Sequence, residues 1–150
     1  MGIGIIQGIY KWIGQEYVEL DTIEKEDFMR TRRIFYAINF NREDGFYDNS
    51  DIYKNIIIDI VYDEGKKGNV LITDPQKTNG VTLQYGTDYP GEVVWVGYFD
   101  VPGYAKYSAI GKHTVTIKVA PRKWGQWARS RDFSEEVGGV TQKFTFEIED

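Results

Sequence analysis

From Ile34 onward the hydrophobic positions of the chain recur with a period of two. Ile34, Tyr36, Ile38 and Phe40 alternate with Phe35, Ala37 and Asn39, and Ile56, Ile58 and Ile60 lie opposite Asp59 and Asp63; in both stretches this is the alternation of a strand. The turn-rich segment DEGKKGN leads from the second of these into Val70-Leu71-Ile72-Thr73, which predicts a hairpin. Val81 to Tyr85 and Glu92 to Val101 add two strands around GTDYPG. In His113 to Val119, Val115, Ile117 and Val119 point one way and Thr114, Thr116 and Lys118 the other. Phe144, Phe146 and Ile148 repeat the pattern in Lys143 to Glu149. About seven to eight short strands with turns between them, and no helix long enough for a crossover between parallel strands, predict an all-β antiparallel sandwich. Residues 21–150 form this single domain, with no linker or internal repeat.

The first 33 residues read differently. In MGIGIIQGIYKWIG, Ile6, Ile9, Tyr10 and Ile13 share one helical face, with Gln7 and Lys11 opposite. Gly2, Gly4 and Gly8 each weaken a helix by about 1 kcal/mol relative to alanine, so an extended arm or a first strand fits the same residues. Residues 1–20 are therefore expected to be an amphipathic N-terminal arm, short helix or strand. Its apolar side has three available partners: its own core, a neighbouring subunit, or a membrane surface. Residues 21–33, DTIEKEDFMRTRR, run from acidic to basic behind Thr22 as a candidate N-cap, which predicts a short helix.

The stretch Ala109 to Val119, AIGKHTVTIKV, resembles the late strand of immunoglobulin-like domains of the PKD and fibronectin type III kind, in which a glycine turn leads into a tyrosine or histidine and then an alternating Thr-Val-Thr strand. The resemblance implies an immunoglobulin-like β-sandwich and nothing about activity, because that architecture carries unrelated functions. A cysteine pair and an early core tryptophan, both common in such domains, are missing here.

Composition narrows the function. A chain of 150 residues with 41% hydrophobic residues buries a core without metal or disulfide. Its net charge of -5 disfavours general nucleic-acid binding. No run approaches the roughly 20 apolar residues of a membrane span, and Met1 to Gly14 lacks the basic start and small-residue cleavage site of a secretory signal. The expectation is cytoplasmic synthesis with incorporation into a particle. Eleven tyrosines, eight phenylalanines and four tryptophans exceed what a small core uses, so some rings are expected at an interface.

Candidate chemistry is sparse. His113 is the only histidine and has no acidic neighbour in sequence closer than Asp100; it reads as a structural histidine. The acidic loop NFNREDGFYDNSD offers Asp44, Asp48 and Asp51 as oxygen ligands of the kind calcium takes, but the spacing departs from the helix-loop-helix calcium pattern and a solvated loop is the competing reading. No nucleophile elbow, phosphate loop or zinc-protease motif is present, so neither an enzyme nor a cofactor is expected.

The segment PRKWGQWARSRDF breaks with the acidic background. Arg122, Lys123, Arg129 and Arg131 interleave with Trp124 and Trp127, a composition suited to protein interfaces, glycans or anions. Its competing reading is a lid on the core, with the arginines solvated or paired to Glu135 and Glu136. Tyr98, Tyr104 and Tyr107 form a second aromatic group that widens a binding surface or covers a sheet edge. Together these features predict a non-catalytic interaction module of a homomeric assembly, such as a virion component, touching its partners through the arm and the Trp-Arg loop. The alternative is a carbohydrate-binding module with Trp124, Trp127 and Tyr104 as its stacking surface.

Overall fold

The computed structural model describes residues 3–46, 48–77, 81–85, 92–103, 107–122 and 131–150. Ten strands fall among them, in two five-stranded sheets of order β2-β1-β4-β8-β7 and β3-β10-β9-β5-β6. The first sheet is built from β1 (Ile5–Ile13), β2 (Glu16–Glu19), β4 (Arg33–Asn41), β7 (Val81–Tyr85) and β8 (Glu92–Asp100); the second from β3 (Thr22–Glu24), β5 (Ile56–Tyr62), β6 (Val70–Thr73), β9 (Gly111–Pro121) and β10 (Val140–Glu149). The chain passes between sheets after β2, β3, β4, β6 and β8. With β2 and β3 set aside, β1-β4-β8-β7 lies over β10-β9-β5-β6, the Greek-key neighbour order of immunoglobulin-like sandwiches, with β6 added beside the third strand. The expected all-β sandwich is therefore the fold. All pairings are antiparallel except β10 with β3, which is parallel.

Three of the ten strands, β1, β2 and β3, come from the N-terminal residues, outside the seven expected from Ile34 onward. Residues 5–13 are a strand rather than a helix, and they pair antiparallel with β4 from Ile5 opposite Asn39 to Tyr10 opposite Phe35. Gly14 and Gln15 have φ of +55° and +77° between paired residues Ile13 and Glu16, so the chain turns in two left-handed residues and returns as β2. Glycine adopts that conformation without strain. The helix expected over residues 21–33 is shorter: α1 (Lys25–Thr31) is capped by Glu24 without a side-chain bond, and Thr22 lies in β3 instead of at the cap. Pairing with β10 uses the first residues of that segment, from Thr22 opposite Glu147 to Glu24 opposite Glu149.

The core is the space between the sheets. Ile34, Tyr36, Ile38 and Phe40 of β4 and Val93, Trp95 and Phe99 of β8 face Ile56, Ile58, Ile60 and Tyr62 of β5 and Val115, Ile117 and Val119 of β9, all essentially inaccessible to solvent. Tyr36 and Trp95 stand edge to face at 90° with centroids 6.3 Å apart, and Phe99 and Phe40 lie tilted against them. This arrangement needs an absence. A Cβ on Gly97 would lie 2.7 Å from the Tyr36 ring and hydroxyl, so only glycine lets Tyr36 lie against β8. Gly97→Ala is expected to lower stability by about 1–3 kcal/mol, the cost of overpacking a filled core, as a shift in the urea midpoint with the m-value unchanged.

Candidate functional site

Three side-chain constellations stand out. The first ties the end of the Trp-Arg segment to the second sheet. The Arg131 guanidinium donates from Nε to Asp59 Oδ1 at 2.9 Å, from Nη1 to Asp74 Oδ2 at 3.0 Å, and from Nη2 to Asp74 Oδ1 at 2.8 Å and the Ile58 carbonyl at 3.1 Å. Burial works against its charge and the two carboxylates more than offset that, so its pKa lies above the ordinary value. Arg122 reaches the same acid, with Nη2 3.7 Å from Asp74 Oδ2, and its backbone N–H donates to the Asn55 carbonyl at 2.7 Å. Both arginines at the ends of the segment are thus engaged within the chain, with Asp59 and Asp74 in place of the Glu135 and Glu136 weighed from sequence. Lys123, Trp124, Trp127 and Arg129 lie outside the described residues, as does Tyr104.

The second constellation is His113, at the head of β9. Its Nε2 donates to the Ala109 carbonyl at 2.6 Å, and its Nδ1 lies 2.9 Å from Asp63 Oδ2. Asp63 Oδ1 accepts from the Thr114 backbone at 3.2 Å, and the imidazole stacks on Tyr62 with centroids 5.4 Å apart. His113 stands two residues before the inward-facing Val115 and bonds back to a carbonyl four residues upstream, as the corner tyrosine does in immunoglobulin-like domains. Every polar atom of the ring is used and the residue is 4% exposed, so His113 closes a corner and is not presented to a ligand. Tyr107 belongs to the same corner: its carbonyl accepts from the Tyr62 hydroxyl at 2.9 Å.

The acidic loop also has a structural role. Asp48 accepts from the Asp51 backbone and Asp51 from the Asp48 backbone, both at 3.0 Å, which makes a capping box for α2 (Asn49–Asn55). Asp44 lies in a preceding single turn of 3₁₀ helix. The described residues hold no group of three or more His, Asp or Glu able to bind a metal ion, and no helix among them is long and apolar enough to cross a membrane.

The third constellation is at the surface, and periodicity alone did not reveal it. Of the residues assigned to the arm, Ile6 and Ile9 are buried in the chain's own core, Tyr10 is half-buried and Ile13 is 51% exposed. β1 continues beyond its last pairing with β4, and the overhang carries Ile13, Trp12 at 52% exposure and, across the turn, Tyr17 at 39%. From there a row of rings crosses the outer face of the first sheet. Trp12 to Tyr17, Tyr17 to Phe35 and Phe35 to Tyr98 are 4.7, 5.1 and 5.8 Å apart, each pair edge to face. Arg33 ends the row, 4.0 Å above Tyr98 and bonded to Asp100 at 2.9 Å. Below the overhang, between β1, β3, α1 and the end of β10, lies an open cavity of about 710 Å³. Trp12, Ile13, Ile23 and Phe35 form its apolar wall, and charged side chains of both signs form its rim.

No protein-family model and no curated protein matches the chain. Among solved structures, AggA, the major subunit of aggregative adherence fimbriae type I from Escherichia coli, is similar at 12% identity over 85% of each chain with a TM-score of 0.26. A likeness that loose carries no weight here, and the sandwich is established by the strand order above.

Two outcomes follow from this geometry. Arg131→Ala leaves the buried Asp59 without its cation and Asp74 with the more distant Arg122, at 3.7 Å, and is expected to lower stability by about 3 kcal/mol. Arg131→Lys recovers only part of that in the same denaturant titration, because lysine lacks the planar fork. Burial raises the pKa of both Tyr36 and Tyr62 well above the ordinary tyrosine value, helped by Tyr53 and Asp74 in the first case and Asp63 in the second. The unfolded chain therefore loses these protons first as pH rises, so their contribution to stability is complete below about pH 10 and declines above it. Absorbance of tyrosinate is expected to show a late phase in which these two rings ionise together with loss of the near-ultraviolet dichroism, and Tyr62→Phe lowers the amplitude of that phase.

Proposed function

We propose that this chain is a non-catalytic structural module that assembles with copies of itself, and that its contact element is the overhanging β1–β2 hairpin. The observation that carries this reading is the clustering of Trp12, Ile13 and Tyr17, three of the large apolar side chains most open to water among the described residues, at one corner of the sandwich. Single exposed apolar residues are ordinary, whereas a contiguous aromatic and aliphatic patch rimmed by charge marks an interaction surface. The inner side of the same strand is committed to the core through Ile6 and Ile9, so the patch is held on a rigid element. The titratable side chains at Arg131 and His113 are turned to structural bonds, and that supports a role without catalysis.

Because β1 is a core strand, removing it would unfold the protein, so point substitutions test the reading. Light scattering coupled to size exclusion is expected to find a defined oligomer for the full chain and a monomer for Trp12→Ser with Ile13→Glu. Leu71→Glu, at the exposed edge strand β6, is expected to leave the oligomer intact. A monomeric full chain at high concentration sinks the proposal.

A further inference from the structure

The rim of the hairpin cavity carries three cations, Lys11, Arg30 and Arg33, and three anions, Glu24, Asp27 and Glu149. Their bonds within the chain are unequal. Lys11 donates to the Thr22 carbonyl at 2.6 Å and Arg33 is paired to Asp100. Arg30 has only a contact of 3.6 Å to Asp27, with both side chains more than half exposed, and such pairs contribute little. Glu24 and Glu149 are the reverse case. They stand directly opposite each other in the parallel pairing of β3 with β10, both are exposed, and neither has an ion pair among the described residues. Like charges placed side by side in a sheet repel. The face therefore presents a weakly held cation and an uncompensated anionic pair around one apolar centre.

A surface with equal numbers of both signs around an apolar centre complements itself. A twofold axis brings residue i of one copy to residue j of the other and the reverse, so a contact of one copy's Arg30 with its partner's Glu24 and Glu149 is made twice. We infer that a second copy of this chain docks on this face about a twofold axis, with Trp12 and Ile13 of each copy covered by the cavity wall of the other and Arg30 set against the glutamate pair. This rests on the self-assembly reading and adds to it the face, the symmetry and the charge pairing.

The test is charge exchange. Arg30→Glu makes the rim more acidic, and Glu24→Lys with Glu149→Lys makes it more basic. Each variant alone is expected to weaken self-association by about a hundredfold or more, since like charges then meet across the axis. Mixed in equal amounts, the two are expected to form a dimer containing one copy of each, seen by native mass spectrometry; that recovery also shows that both variants are folded. If the unaltered chain associates but either variant associates equally well, or the mixture fails to pair, this docking mode is overturned while self-assembly stands. If the unaltered chain does not associate at any concentration, the self-assembly reading falls and this mode falls with it.

Discussion

The pairing of β1 with β4 is the constraint on which the functional account depends. It places Ile6 and Ile9 between the sheets, and it stops at Tyr10 opposite Phe35 while β1 runs on to Ile13. An isolated hairpin is marginal in water; this one is held because its first half is part of the sandwich. The second half pairs only with β2, so Trp12, Ile13 and Tyr17 are displayed on backbone whose position is fixed elsewhere. Presenting an apolar contact on a strand locked to the core, instead of on a loose arm, reduces the ordering entropy that association must overcome.

The second sheet solves a different problem. β5 is buried at every position, including its outward-facing Asp59, and Asp63 after it is buried as well. A carboxylate in such a place is tolerated only if paired. Arg131 meets Asp59, and His113 with the Thr114 amide meets Asp63. Each aspartate thereby fastens a residue from elsewhere in the chain: Asp59 holds Arg131, and Asp63 holds His113, whose ring bonds in turn to the Ala109 carbonyl. The polar chemistry that looks most functional in a residue count is, in three dimensions, the fastening of this sheet.

How much of this was legible in the sequence varies with the range of the interaction. β4, β5, β9 and β10 announce themselves by alternation because each has one strongly apolar face, and β6 by the turn-rich segment before it; the resemblance of Ala109 to Val119 to a late immunoglobulin-like strand covers His113 but did not show the corner it closes. β1 was ambiguous because Ile6, Ile9, Tyr10 and Ile13 fit a helical spacing, and the bulge between Ile6 and Gly8 interrupts the period of two that would have marked a strand. The turn at Gly14-Gln15 lacks the usual Asn-Gly signal. α2 lay hidden in an acidic loop whose aspartates are its caps. The acidic partners of Arg131 are 57 and 72 residues away and that of His113 is 50 away, and no local pattern encodes such contacts. The aromatic row was out of reach for the same reason, since Trp12, Tyr17, Phe35 and Tyr98 come from four strands.

The most direct measurement of the central claim is hydrogen–deuterium exchange at low and high protein concentration. The account predicts that backbone amides in residues 10–19, together with the α1 and β3 segments beneath them, gain protection as concentration rises, while β6 and β9 exchange unchanged. Protection that grows along β6, or a hairpin whose exchange is indifferent to concentration, would contradict it.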